Sequence, residues 1–250
     1  NRYIFDYRDY TYEDITPFRK TVEKLVMSSY ATFVSSDAFR YALPKVEKIY
    51  TSHNLTLESL EHQLKSKRIW VNSKPIRIAF WGFIRHEKIN EEIIRKLGGD
   101  TRFELHYYGR EQQTAWNLKA LVAKEQFSNV FFHGTYLPEE RYAFAEQTDL
   151  IHNMYENDAG TQKAMGNKYY DGIIFRIPQL CTAGSYMGER AEEDGVGCAL
   201  DPFADEFVDQ LVRYYQDYDR SQFEANCDRA CEKVIKEFEK GQQIVKRFAE

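Results

Sequence analysis

At 250 residues, 43% hydrophobic and 29% charged, the chain is long enough to bury a core and too apolar to be disordered. A formal charge of −5 excludes a nonspecific nucleic-acid binder, which carries a basic excess, so nucleic acid is not an expected partner. No apolar run reaches the roughly 18 residues of a membrane span, and no signal peptide is recognisable. Residues 1–54 read as strand 3–6, helix 13–29, strand 31–34, a short helix near 39–43 and strand 48–51. Three short strands are too few to close a core, so this part is expected to be the tail of an α/β domain whose start is missing. Residues 55–74, polar and charged, read as a connector. From Pro75 to residue 218, strands at 76–81, 103–108, 129–132, 150–153, 179–182 and 197–200 alternate with helices at 90–97, 112–125, 138–147, 167–175 and 204–215. That alternation predicts α/β architecture, a Rossmann-like, doubly wound parallel sheet covered by helices. Residues 219–250 form a terminal helix, with Phe223, Cys227, Cys231, Val234 and Phe238 along one face.

The four cysteines show neither a CxxC pair nor zinc-site spacing, which points to a reduced, intracellular setting and to no structural metal. In doubly wound sheets ligands sit at the carboxyl ends of the strands. The loop after strand 76–81 reads Gly82-Phe-Ile-Arg85-His-Glu-Lys88 and opens a helix. A glycine lets backbone approach a ligand, a helix N-terminus offers free N–H groups, and two cations there match a diphosphate. With one glycine it is not the GxGxxG fingerprint, and taken alone Arg85 and Lys88 fit a solvated turn better. Further on, Lys168 and Asp171 share a helix face three residues apart. The carboxylate could accept both ribose hydroxyls while the ammonium meets phosphate, but by spacing alone a weak surface ion pair is the plainer reading. Arg8 and Asp9 could line a cleft or be solvated. His53 and Asn54 could face that cleft or end their strand, and Tyr136 could stack on a base.

Lys168-Tyr-Tyr-Asp171, then Ile177-Pro178 and an apolar strand, resembles the Lys-x-x-Glu…Gly-x-Pro-Val segment of family-four glycosyltransferases of the GT-B fold. The rest follows in order: Gly82…Lys88 is similar to the family's phosphate loop, and Tyr107-Tyr108-Gly109 to its second strand end. Phe131-Phe132-His133-Gly134-Thr135 resembles the family's Phe-x-Gly loop near the base, and Asp149-Leu-Ile-His-Asn153 its Ala-Asp-x-x-x strand. Ser35-Ser36 and Tyr50-Thr-Ser-His53-Asn54 resemble the last strands of the acceptor domain. The likeness is nearest to the bacterial surface-polysaccharide branch, which makes capsule and lipopolysaccharide. It implies transfer of a sugar from a nucleotide-diphosphate donor to a glycan or lipid-linked acceptor, with retention and with neither metal nor other cofactor. It implies donor binding by Gly82, Gly134, Tyr136, Asn157, Asn167, Lys168 and Asp171, with Arg85 and Lys88 stabilising the leaving diphosphate. A cytoplasmic protein is implied, in peripheral contact with the inner membrane face through the missing N-terminal segment. Acceptor groups would come largely from that segment, so this chain alone is expected to bind donor and to be inactive or nearly so. Two departures stand out. The family's sugar-contacting Glu, eight residues before the helix acid, is Lys163 here, and the acid is Asp171, one methylene shorter. Glu156, Asn157 or Asp158 in the loop between would then meet the sugar. The departures leave two alternatives open, a non-catalytic nucleotide-sugar-binding module and a GT-B-related sugar-nucleotide epimerase.

Overall fold

The structure, a computed structural model, describes residues 2–63, 75–217 and 219–250. Its N-terminal lobe is a three-stranded parallel sheet of β1 (Ile4–Tyr7), β2 (Ala31–Val34) and β3 (Ile49–Thr51), in that spatial order. Helix α1 (Thr16–Ser28) crosses from β1 to β2, and a 3-10 turn at Asp37–Ala42 leads towards β3. The helix starts three residues later than the periodicity predicts, because Pro17 favours the first turn, where its missing N–H is no loss. Helix α2 (Leu57–Gln63) then occupies the first half of the expected connector. The second half, residues 64–74 with Ser66 and Ser73, lies outside the described residues.

The larger lobe is built on β4 (Ile76–Trp81), β5 (Phe103–Tyr108), β6 (Val130–Gly134), β7 (Leu150–Asn153), β8 (Gln179–Thr182) and β9 (Gly197–Leu200). Their spatial order is β6-β5-β4-β7-β8-β9, with all neighbours parallel. Chain order reverses direction between β4 and β7, which makes that junction the topological switch point where ligands of such sheets bind. Between the strands lie α3 (Glu87–Leu97), α4 (Gln113–Glu125), α5 (Glu140–Ala145), α6 (Asn167–Phe175) and α7 (Tyr186–Glu193). Next come α8 (Phe207–Asp217) and α9 (Arg220–Ala249). One core lies where Ile89, Ile93, Ile94 and Leu97 of α3 cover Ile78, Phe80 and Leu105. The other lies where α6 and α9 cover Ala79, Trp81 and Ile151 on the opposite face. The α/β, Rossmann-like doubly wound sheet read from the sequence is therefore the fold.

Two elements differ from the sequence pattern. Helix α7 escapes it because Gly184 and Gly188 interrupt a short polar stretch. Its start is set instead by the Ser185 hydroxyl accepting the Gly188 N–H at 3.0 Å. A Cβ on Gly188 would lie 2.6 Å from the Thr182 carbonyl, so only glycine lets this helix sit against β8. Helix α5 is shorter than expected, at six residues. The terminal helix α9 spans both lobes. Phe223, Cys227, Cys231 and Val234 bury into the larger lobe, and further on Gly241 closes against Phe33 of β2. All four cysteines are buried, which fits packing roles.

Candidate functional site

The strand β4 ends at the switch point with Phe80 and Trp81, both buried, and leaves through Gly82. Gly82 has φ +117°, a conformation side-chain residues rarely adopt, and nothing lies within 4 Å of where its Cβ would be. The half-buried backbone at this exit lines a cleft of about 480 Å³. Its walls are the start of α6, the loop after β4 and, from the smaller lobe, Asp9 and Tyr10.

Buried polar groups fix the loop. Asn90 of α3 is fully buried; its Nδ2 donates to the Arg85 carbonyl at 2.6 Å and the His86 carbonyl at 3.0 Å. Its Oδ1 meets His152 Nε2 of β7 at 2.9 Å. His86 takes a left-handed conformation (φ 60°) at the start of α3 and stacks on Tyr155 with ring centres 4.8 Å apart. Burial, with the charges of Arg85 and Lys168 adding to it, pushes His86 down to about 4. His152 is held at about 3 by burial and then by Lys168 and His86. Both imidazoles are thus neutral, and the cationic side chains lining the cleft are Arg85, Arg141 and Lys168. Arg85 lines the cleft from the loop with its guanidinium carbon 5.5 Å from the Phe83 ring centre.

The α6 wall is different in kind. Lys168 is 6% exposed; its Nζ lies 4.2 Å over the Phe80 ring and donates to the Tyr155 hydroxyl at 3.0 Å. Among the described residues it forms no salt bridge. Asp171, 5% exposed, accepts from Trp81 Nε1 at 2.8 Å on one oxygen. Its other oxygen lies 3.5 Å from Nη1 of Arg141. Burial pushes the Asp171 carboxyl up, and Arg141, the Trp81 hydrogen bond and Lys168 only partly oppose this. The Lys168–Asp171 spacing is therefore no surface ion pair: both charges are buried, and both line the cleft.

The other expected residues divide. Tyr136, half-buried edge-on against Phe144, and the exposed Asn167 line the cleft with Gly82. Gly134 (φ +77°) turns the chain at the end of β6, outside that lining, and its carbonyl accepts the Gly109 N–H at 2.7 Å. Asn157 is exposed and spends its amide on the Ala183 carbonyl at 2.8 Å. Lys88 is exposed on the first turn of α3 with its side chain away from the cleft lining; its backbone N–H donates to Glu156 at 3.3 Å. Asp158 caps the next turn by accepting the Gly160 and Thr161 N–H groups, both at 2.8 Å. Lys163, at the position of the expected acid, leans onto the smaller lobe, with its ammonium 4.9 Å from the Tyr10 ring centre. His53 bridges the lobes: Nδ1 meets the Tyr170 hydroxyl at 3.0 Å and Nε2 meets Glu237 at 2.6 Å. Arg8 bonds Asn54 at 2.9 Å, while Asp9 reaches the cleft. Sequence reasoning did not single out Trp81, His86, Arg141 or Tyr155. Only the unusual Trp at a strand end signals any of them. Among the described residues no group of three His, Cys, Asp or Glu side chains could hold a metal ion.

No protein-family description and no curated protein sequence matches the chain. Solved structures do match. A glycosyltransferase from Rickettsia africae superposes with a TM-score of 0.65 at 15% identity, over 98% of this chain and 69% of that one. Alr3699/HepE of Anabaena, solved with UDP-glucose, gives 0.66 at 12% identity over 98% and 71%. The pneumococcal O-GlcNAc transferase GtfA, solved with UDP and GlcNAc, gives 0.58 at 14% over 93% of this chain and 48% of that one. At such identities the likeness speaks for the fold. The chain has the parallel-sheet α/β architecture of GT-B glycosyltransferase domains and spans only part of the length of those proteins.

Proposed function

We propose that the cleft binds a nucleoside-diphosphate sugar and that the chain is the donor-binding part of a glycosyltransferase. The observation that carries this is Lys168, a nearly buried ammonium without a carboxylate partner among the described residues, facing the open backbone of Gly82. A buried cation in no direct ion pair is expensive unless an anion meets it. A diphosphate laid between Gly82, Arg85 and Lys168 would supply that anion. As the glycosidic bond breaks, negative charge grows on the diphosphate, and cations already fixed there stabilise it without reorganisation. Arg85 would be the near cation of the loop, with Lys88 acting at longer range. Asp171 faces the same cleft and would take the ribose hydroxyls, leaving Tyr136 for the base. Asn167 and the turns at Gly134 and Asn157 would shape the pocket. The nucleotides bound to HepE and GtfA support this class of ligand.

On this reading the donor's leaving group needs no metal, since the protein supplies the charge. The resemblance to family-four enzymes favours retention, a glycan or lipid-linked acceptor and a place in surface-polysaccharide synthesis on the cytoplasmic side, with peripheral membrane contact. No helix among the described residues is long and apolar enough to cross a membrane. The lean of Lys163 onto Tyr10, where an acid would contact the donor sugar, favours one second reading, a site that binds the nucleotide sugar without turning it over. Calorimetric titration with UDP, GDP, ADP and dTDP tests the binding. One of them should bind, and K168A should weaken it at least tenfold. Heat from none of the four would overturn the proposal. Incubating UDP-GlcNAc without acceptor and looking for its epimer separates an epimerase from both.

A further inference from the structure

Asp171 is held from two directions. Trp81 reaches it from the end of β4 and Arg141 from α5, while Lys168 of its own helix α6 acts on its charge without touching it; among the described residues Tyr136, before α5, is a further titratable group facing it. Arg141 belongs to no motif in the sequence and lies thirty residues from Asp171 in the chain. Its seat is nevertheless well defined. Nη2 donates to Ser59 Oγ at 2.8 Å, and Ser59 is buried on α2 with its hydroxyl 2.6 Å from that of Thr56. The guanidinium carbon lies 5.7 Å from the Phe175 ring centre, so an α6 side chain also supports it. At 3.5 Å the contact with Asp171 is an ion pair rather than a full hydrogen bond, which leaves carboxylate lone pairs for another donor.

We propose that Arg141 is a positioning residue, seated on Ser59, that keeps Asp171 a carboxylate directed into the cleft. A carboxyl buried to this degree protonates unless a cation opposes its desolvation. Arg141 comes first among the groups that oppose it, ahead of the Trp81 hydrogen bond and Lys168. Protonated, Asp171 would offer one acceptor fewer to a pair of hydroxyls. The consequence for ligands rests on the donor-site reading; the effect on Asp171 does not.

The indole N–H of Trp81 is bonded to Asp171 and reports its protonation in the ligand-free protein. Its ¹H–¹⁵N resonance, assigned by its loss in W81F, is followed from pH 4 to 10. R141Q, which keeps a donor for Ser59 but loses the charge, should raise the titration midpoint by about one pH unit or more. R141K should restore most of the wild-type midpoint, and S59A should shift it upward by less than R141Q. As pH is lowered, UDP affinity of R141Q should then be lost at a higher pH than that of wild type, a shift that damaged packing would not give. An unmoved Trp81 midpoint in both R141Q and S59A would overturn the proposal. A raised midpoint in a protein that binds no nucleoside diphosphate would uphold Arg141's role and discard the donor reading.

Discussion

The two walls of the cleft present their charges in opposite ways. On α6, Lys168 and Asp171 are buried, and aromatic rings and an indole N–H fix their geometry. In the loop after β4, Arg85 and Lys88 are exposed; the protein fixes the backbone there, through Asn90 and His152, rather than the charged ends. Burial raises the strength of any interaction a charge makes and the penalty when it makes none. The α6 wall should therefore dominate affinity, and the loop wall should act through screened, longer-range attraction.

The largest test of that contrast is Lys168 against Arg85. A charged hydrogen bond to a diphosphate is worth about 1.5–3 kcal/mol, so K168M should weaken UDP by about ten- to a hundredfold in calorimetry, whereas R85A should stay below that range. Equal losses would remove the distinction between the walls. Next in size, D171N should weaken UDP while leaving the fold as stable as before or more so. The sign follows from the direction of the shift. A carboxyl raised above its unfolded value of about 3.9 stabilises the fold while protonated and loses that contribution as pH rises through the folded value. The melting temperature of D171N relative to wild type should therefore be higher at pH 8 than at pH 4. A D171N protein that melts lower at pH 8 would show the ionised carboxylate to be a net support of the fold. Smaller again is the salt response. At 1 M salt, where the screening length falls to about 3 Å, the R85A deficit should largely vanish and the K168M deficit should persist.

The same contrast explains what could be read from the sequence. Ile76–Trp81 is a mainly apolar run and Phe103–Tyr108 alternates apolar or aromatic with polar residues at period two, and their place in the sheet follows from alternation with helices. Helix α7 could not be read that way, because the close approach of Gly188 to β8 is a tertiary fact that makes a poor helix sequence acceptable. In the site, Lys168 and Asp171 were legible only through resemblance, since their spacing equally describes a surface pair. Their burial depends on Phe80, Tyr155 and Trp81, brought together by β4 and β7 meeting at the switch point. Arg141 was illegible for the same reason: its partners Ser59 and Asp171 lie on helices 82 and 30 residues away. Conversely Lys88 and Asn157, conspicuous in the sequence, stand outside the cleft lining because one faces solvent and the other ties a loop to the end of β8.

His86 sharpens the comparison where the walls meet, and its effect should be the smallest of the series. It is stacked on Tyr155 and feels the charges of both Arg85 and Lys168, and burial followed by those two cations holds it at about 4. Because it is neutral above that value, it should impose no pH dependence on ligand binding between pH 6 and 8. A bound diphosphate would neutralise the cations that depress it, so the folded imidazole should titrate at higher pH in the complex than in the free protein. The His86 ring proton followed by NMR, with and without saturating UDP, measures that rise directly. A rise produced by UDP in wild type and lost in K168M places the anion between the two walls. A rise that survives K168M but disappears in R85A would move it to the loop, and the α6 wall would then serve the fold more than the ligand.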